Sequence, residues 1–151
     1  MSTSAYERLA EALDRLPNGF PRTPAGTELR ILAKIMTEEE ADLAARLSGT
    51  MEPVEQVAER LGLVKKEAAS RLIALARRGL VWLDRSEGAL RVRLAPFIVG
   101  IYEAQLDAMD HEFAHLIERY LADGGAAGIM GPEPALHRVV PAQAALKREW
   151  I

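Results

Sequence analysis

Apolar residues recur at helical spacing in the first third of the chain and predict three helices there. The first helix is expected to begin after Ser4, whose side-chain oxygen can cap it, and a Pro- and Gly-rich stretch at 17–26 ends it. Thr27 is the expected cap of the second helix. Thr37 is the expected cap of the third, where Glu40 completes a capping box. The apolar sides are formed by Tyr6, Leu9, Ala10, Leu13 and Leu16, then by Leu29, Leu32, Ile35 and Met36, and then by Ala41, Leu43, Ala44 and Leu47.

The middle of the chain, "EPVEQVAERLGLVKKEAASRLIALARRGLVWLDRSEGALRVRLAPF", predicts a helix, a turn, a second helix and a β-hairpin. The short helix runs from Pro53 to Leu61 and ends at Gly62, and the longer one runs from Lys65 to Arg78. The runs "LVWLDR" and "ALRVRL", joined by "SEG", read as the two strands. This order is typical of a winged helix-turn-helix. Its expected core is Val57, Ala58, Leu61, Leu63, Ala68, Leu72, Leu75 and Leu80.

The stretch "PFIVGIYEAQLDAMDHEFAHLIERYLADGG" predicts one long helix ended by Gly124 and Gly125. The expected fold is therefore mainly α with a small β-hairpin: a winged helix-turn-helix with extra N-terminal helices and a long C-terminal helix, over residues 1–123. Residues 124–151 are expected to form a Gly/Pro-rich tail or linker towards a missing C-terminal part. The buried stripe of the long helix is expected to pack against a symmetry mate or the first helix, and a homodimer is the favoured expectation. Its members are Ile98, Tyr102, Leu106, Met109, Phe113, Leu116, Ile117 and Tyr120.

Charge adds a candidate binding face. The 151 residues carry a formal net charge of −3, but between Val64 and Arg78 there are five basic residues and one acidic residue, Glu67. In a helix-turn-helix the second helix enters the major groove of DNA, and cations there neutralise phosphates. The alternatives are an ordinary solvated helix face and a docking surface for a protein partner, and Glu67 counts against DNA. The candidate DNA contacts are Lys65, Lys66, Ser70 and Arg71, with Arg85, Arg91 and Arg93 on the wing.

The segment "MDHEFAHLIERY" contains the pattern His-Glu-x-x-His of zinc peptidases, from His111 to His115. A catalytic zinc site needs a third protein ligand and an enclosed cavity, but nothing downstream supplies a G-x-x-H extension, and Glu133 and His137 lie in the Pro/Gly-rich tail. Both histidines are also expected to point away from the buried stripe. We therefore interpret His111 and His115 as, at most, adventitious metal ligands, and expect neither a metal site nor an enzyme.

Cysteine is absent, which excludes disulfides and cysteine-ligated iron–sulfur clusters within these residues. Nothing resembles a signal peptide, and no apolar run approaches the length of a membrane span. The expected location is the cytoplasm, without membrane contact.

Several short phrases carry a resemblance: "GFP-x-T-x-x-G" from Gly19, "EEA-x-L" from Glu39, "G-x-YE" from Gly100 and the later "HRVVP". From about Tyr6 to Pro141 the chain resembles the N-terminal region of bacterial and archaeal ferredoxin-type proteins. There, a winged-helix-like segment precedes cysteine-rich motifs for four-iron–four-sulfur clusters. No cluster ligand can be carried over, so no cofactor is expected in this chain. Either the chain is an excised N-terminal domain or the gene product keeps only this module.

The resemblance and the helix-turn-helix pattern together predict a non-catalytic winged-helix module that recognises double-stranded DNA or a protein partner. The first alternative is a free-standing winged-helix transcriptional regulator. A zinc hydrolase built on the histidine pattern is a distant third.

Overall fold

The computed structural model describes residues 3–85, 88–131 and 133 of the chain. They are mainly helical with one small antiparallel sheet, as expected for a mainly-α fold with a β-hairpin. The helices are α1 (Ala5–Asp14), α2 (Thr27–Ile35), α3 (Glu38–Ala45), α4 (Val54–Leu61), α5 (Lys65–Arg77), the single turn α6 (Tyr102–Ala104), α7 (His111–Tyr120) and α8 (Ala126–Met130). The strands are β1 (Glu52–Pro53), β2 (Val81–Asp84) and β3 (Arg91–Leu94).

Local capping explains where the first three helices begin. Ser4 and Thr37 each form a complete capping box, with Glu7 and Glu40 respectively, which confirms both predicted caps. The prediction for Thr27 was wrong by one residue. Gly26 is the cap, in the left-handed conformation that glycine allows, and Thr27 is the first helical residue.

The loop between α1 and α2 is held by a buried carboxylate. Glu28 is 0% exposed and accepts hydrogen bonds from the Thr23 backbone N–H (3.1 Å), the Thr23 hydroxyl (2.5 Å) and Arg22 Nε (2.8 Å). The Thr23 hydroxyl oxygen also accepts a hydrogen bond from the Thr27 N–H at 3.0 Å. A buried charge needs such partners, and together they tie the loop to the start of α2.

Helices α4 and α5 pack as the apolar pattern predicts. Gly62 ends α4 in the left-handed conformation, and the N–H of Leu63 donates to the carbonyl of Ala58 at 2.9 Å. Gly79, with φ of +70°, ends the turn after α5 and lies so close to Ala104 that a side chain would collide with it. Six of the eight predicted core residues are buried, and Leu61 and Leu63 are half-buried.

The sheet has one strand more than the predicted hairpin. Its order is β1-β3-β2, with Trp82 opposite Arg93 and Asp84 opposite Arg91. Strand β1 pairs Glu52 with Val92, immediately before α4. A bidentate ion pair between Glu52 and Arg60, at 2.7 and 2.8 Å, joins this strand to the end of α4.

The predicted long C-terminal helix was wrong. Ile98 and Val99 have extended dihedral angles after Pro96, α6 is a single turn, and Met109 is again extended. Helix α7 starts afresh, because the Asp110 carboxylate accepts a hydrogen bond from the Phe113 N–H at 2.8 Å and caps it. Helical spacing alone did not reveal this new start.

The predicted stripe is consequently divided. Phe113, Leu116, Ile117 and Tyr120 of α7 are buried, whereas Leu106 is 49% exposed. The kink at Gly124 leads into α8, where Ile129 is buried, so the first residues of the predicted tail are helical. The rest of that predicted tail, apart from Gly131 and Glu133, lies outside the described residues.

None of the helices in the described ranges combines the length and the apolar character needed to cross a bilayer.

Candidate nucleic-acid interface

The start of α5 lacks the capping that begins α1, α3 and α7. Val64 occupies the cap position, 70% exposed, and no side chain accepts a hydrogen bond from the first turn. Lys65 and Lys66 follow immediately, although the N-terminus of a helix carries a partial positive charge and favours anions. An external anion would therefore complement this end of the helix both by hydrogen bonding and by charge.

One side of α5 is buried and the opposite side is open. Ala68, Leu72 and Leu75 face the core. The opposite side borders a shallow hollow of about 460 Å³ that contains two cations and no carboxylate. We call this side the outer face of α5; it consists of Lys66, Ala69, Ser70, Ile73, Ala74 and Arg77.

The four predicted contacts on α5 are not equivalent. Lys66 and Ser70 lie on the outer face, and within the described residues Lys66 makes no ion pair. Lys65 pairs with Glu55, and this hydrogen bond is the main reason why the pKa of the Glu55 carboxyl lies below its ordinary value. Arg71 is half-buried, lies 3.7 Å from Glu67 and borders a different hollow. The structure therefore divides the predicted set between two sides of the helix.

The three predicted wing arginines also differ in their surroundings. Arg91 donates to the Met51 carbonyl at 3.0 Å and stands opposite Asp84, and the Arg93 guanidinium lies 4.2 Å from the centre of the Trp82 ring. Both therefore make contacts within the chain. Arg85, at the end of β2, is exposed.

The predicted set of DNA contacts included neither Arg77 nor Trp82. Arg77 is one of the five basic residues counted between Val64 and Arg78, and the spacing Lys66, Ser70, Ala74 and Arg77 places it on the outer face. The signal for Trp82 was the alternation in "VWLD" and "RVRL", which assigns Trp82 and Arg93 to the same side of the sheet.

The histidine pattern is present on the surface of α7 without a metal-binding arrangement. The rings of His111 and His115 are 4.5 Å apart, and His115 Nδ1 lies 3.3 Å from the Glu118 carboxylate. Glu112, the residue a zinc peptidase would use as base, forms an ion pair with Lys34 at 2.5 Å. In the part of the chain that the structure describes, no three His, Cys, Asp or Glu side chains form a group that could hold a metal ion.

Lys34 also joins the cap of α7 to α2. Its ammonium lies 2.7 Å from Asp110, and this hydrogen bond is the main reason why the pKa of the Asp110 carboxyl is lowered. The hydrogen bonds to Asp110 and Glu112 in turn raise the pKa of Lys34.

The α7 part of the surface predicted for dimerisation is packed within the chain. The Tyr120 hydroxyl donates to the Pro21 carbonyl at 3.2 Å, and its ring lies 5.2 Å from that of Phe20. Phe20 in turn lies 4.3 Å from Phe97. Since the apolar residues of α7 are buried in this way, they offer no stripe to a second copy.

The short sequence phrases that carry the family resemblance include residues that are buried in the core or form local hydrogen bonds. Phe20 and Thr23 of "GFP-x-T-x-x-G" are buried, and Glu40 of "EEA-x-L" completes the cap of α3. In "G-x-YE" the N–H of Gly100 donates to the Glu103 carboxylate at 2.5 Å. The phrase "HRVVP" lies outside the described residues.

Compared with protein-family models, with curated proteins and with solved structures, the chain matches none.

Proposed function

We propose that the chain is a non-catalytic winged-helix module that binds double-stranded DNA. In this proposal α4 and α5 form the helix-turn-helix, β2 and β3 form the wing, and the outer face of α5 enters the major groove. The observation that carries the proposal is that this face holds Lys66, Ser70 and Arg77 around an open hollow without a carboxylate.

The charges on the outer face of α5 and on the wing determine what kind of binding to expect. Lys66, Arg77 and Arg85 are exposed, and none of them forms an ion pair within the described residues. Three phosphate contacts would make the logarithm of the affinity fall with the logarithm of the salt concentration with a slope of about −2 to −3. Ser70 can donate to or accept from a base edge, so sequence preference would be modest. The net charge of −3 disfavours DNA contact through the rest of the surface.

The test is fluorescence anisotropy with a mixed-sequence duplex over a salt series. Replacing Lys66 and Arg77 together by Glu is expected to weaken binding at low salt by about tenfold or more, because two attractive contacts become repulsive. The matched control replaces Arg15 and Arg30, exposed arginines near the end of α1 and on α2, by Glu. It changes the net charge equally but leaves the outer face intact. Equal losses in the two double variants, or no binding by the wild type at low salt, would overturn the proposal.

A protein partner is the second candidate for the same face. It is favoured by the exposed Val64 and by Ile73 and Ala74, which make the middle of the face apolar. A photo-crosslinking residue at position 73 would then capture a partner protein in cells, and the same residue at position 30 would not. Capture at both positions with equal yield would contradict docking on this face.

Three further interpretations of the sequence concern regulation, family and catalysis. A free-standing transcriptional regulator would be expected to dimerise, but through a surface other than α7. The ferredoxin-type resemblance and the cytoplasmic location stay predictions. A zinc hydrolase has the weakest support, since Lys34 engages Glu112 and the described residues provide no third ligand.

A further inference from the structure

A cleft of about 340 Å³ lies beside the sheet, away from the outer face of α5. Its walls come from distant parts of the chain: Leu16, Pro17 and Asn18 after α1, Trp82 and Arg93 on the sheet, and Pro96 and Val99 after the sheet. The Asn18 side-chain amide donates to the Ile98 carbonyl and so joins two of these walls. The volume is within the range of about 300–1,000 Å³ typical of small-molecule sites. We call it the Trp82 cleft.

The cleft is lined mainly by apolar side chains and contains a cationic side chain, that of Arg93. Its lining in the described chain is mostly aliphatic, proline and tryptophan side chains, and Arg93 is the one charged residue there. Val99 is 49% exposed, so a large apolar side chain borders the open space. Such a lining favours a ligand with an apolar body and a single charged group.

Arg93 carries a hydrogen-bonding group that has no partner among the described residues. The guanidinium lies over the Trp82 ring, and its Nε is buried without a hydrogen-bond partner in the described residues. A buried donor without an acceptor costs free energy, and guanidinium groups pair with carboxylates through two parallel hydrogen bonds. An anion in the cleft that turned the guanidinium towards itself would supply the missing acceptor.

We propose that the Trp82 cleft binds a small organic carboxylate with a flat apolar body. The body lies between Trp82, Pro96 and Val99, and the carboxylate accepts hydrogen bonds from Arg93. A single cation in an apolar setting fits a monocarboxylate better than a phosphate, which carries more charge and needs more donors. This site is independent of the DNA proposal, because it uses Arg93 and Trp82 and not the outer face of α5.

The experiment uses the full chain with Trp150 replaced by Phe. The sequence has two tryptophans, so Trp82 then becomes the sole fluorophore of its kind. Phenylacetate and 3-phenylpropionate are titrated beside their neutral amides, with emission and calorimetry as readouts and no DNA present. We expect saturable binding of the acids, at least about tenfold tighter than binding of the matching amides, because a hydrogen bond to a charged group is lost in the amide.

Two variants decide whether Arg93 is responsible. Arg93→Gln is expected to weaken binding of the acids about tenfold and to remove the preference over the amides. Arg30→Gln, which removes an exposed arginine on α2 that does not line the cleft, is the matched control and keeps wild-type affinity. Val99→Phe narrows the cleft at a half-exposed position without adding a second tryptophan, and we expect it to weaken binding of acids and amides alike while circular dichroism stays that of the wild type.

Three results would overturn the proposal. The first is no saturable binding of either acid at millimolar concentration, and the second is equal affinity for acids and amides. The third is unchanged affinity in a folded Arg93→Gln variant. Since DNA binding is measured separately with the Lys66 and Arg77 variants, failure of one proposal leaves the other standing.

Discussion

Helices α5 and α7 both carry charged residues in their first turn, but they differ in the helix caps and ion pairs that the rest of the chain provides there. At α7, Asp110 caps the helix, and Lys34 pairs with both Asp110 and Glu112. At α5, no side chain caps the helix, and Lys66 has no ion pair within the described residues. Helix α7 contains the more familiar sequence pattern, yet α5 has more to gain from a ligand. The unsatisfied groups therefore favour α5 over α7 as the candidate binding helix.

The largest expected effect tests whether α7 is held by its own chain. Phe113 is 3% exposed, and Phe113→Ala is expected to lower the free energy of unfolding by about 3–5 kcal/mol, because it removes a buried ring and leaves a cavity. The measurement is urea unfolding followed by circular dichroism. Ser70→Ala on the outer face of α5 is the control and should change stability by less than about 0.5 kcal/mol. Similar small losses in both variants would show that α7 is not an integral part of the core.

An intermediate effect concerns the ion pair that joins β1 to α4, the helix that packs against α5. Glu52 has a side chain 12% exposed and pairs with Arg60, so Glu52→Gln is expected to cost about 2 kcal/mol at neutral pH. The Arg60 hydrogen bond is the main cause that lowers the pKa of the Glu52 carboxyl from 4.5. Its contribution is therefore complete above about pH 4.5 and is lost as the pH falls through the lowered pKa.

Urea unfolding at several pH values checks this contribution. The difference in stability between the wild type and Glu52→Gln should be constant near neutral pH and shrink below about pH 4.5. A difference that stays constant down to pH 3 would show that the carboxylate charge is not what stabilises this junction.

The smallest expected change in stability comes from giving α5 the side-chain cap that α7 already has. Val64 has the extended dihedral angles of a cap residue, so Val64→Ser should raise the stability by about 1 kcal/mol. Val64→Asp should stabilise the helix similarly, but its carboxylate should weaken DNA binding beside Lys65 and Lys66. Thermal unfolding and the anisotropy assay measure the two quantities. Equal DNA affinity in the Ser and Asp variants would place the DNA contact elsewhere.

The sequence predicted correctly those features that depend on residues close together in the chain. The caps at Ser4 and Thr37 and the end of α4 at Gly62 depend on neighbours within a few residues, and each was predicted. The prediction of one long C-terminal helix failed because apolar residues continue at helical spacing through residues 98–109. Periodicity does not show that the chain is extended at Ile98 and Val99, or that the Asp110 carboxylate starts a new helix.

The candidate site was predicted only in part, for the same reason. The sequence identified Lys66 and Ser70 as neighbours on one helix face, because helical geometry brings together residues three or four apart. It did not show that Lys65 pairs with Glu55 or that Arg93 lies on Trp82. Those contacts depend on how separate elements pack.

By itself the sequence determined the helices near their caps, the α4–α5 pair, the two hairpin strands and the cationic bias of α5. Each of these rests on interactions between residues close together in the chain. Only the tertiary structure decided which cations remain unpaired, that the apolar side of α7 is buried in its own chain, and that the Trp82 cleft exists. Lys34 meets Glu112 across 78 positions, and the cleft has walls from distant segments. Such contacts form only when the whole chain packs, because no local pattern specifies the distance between elements far apart in sequence.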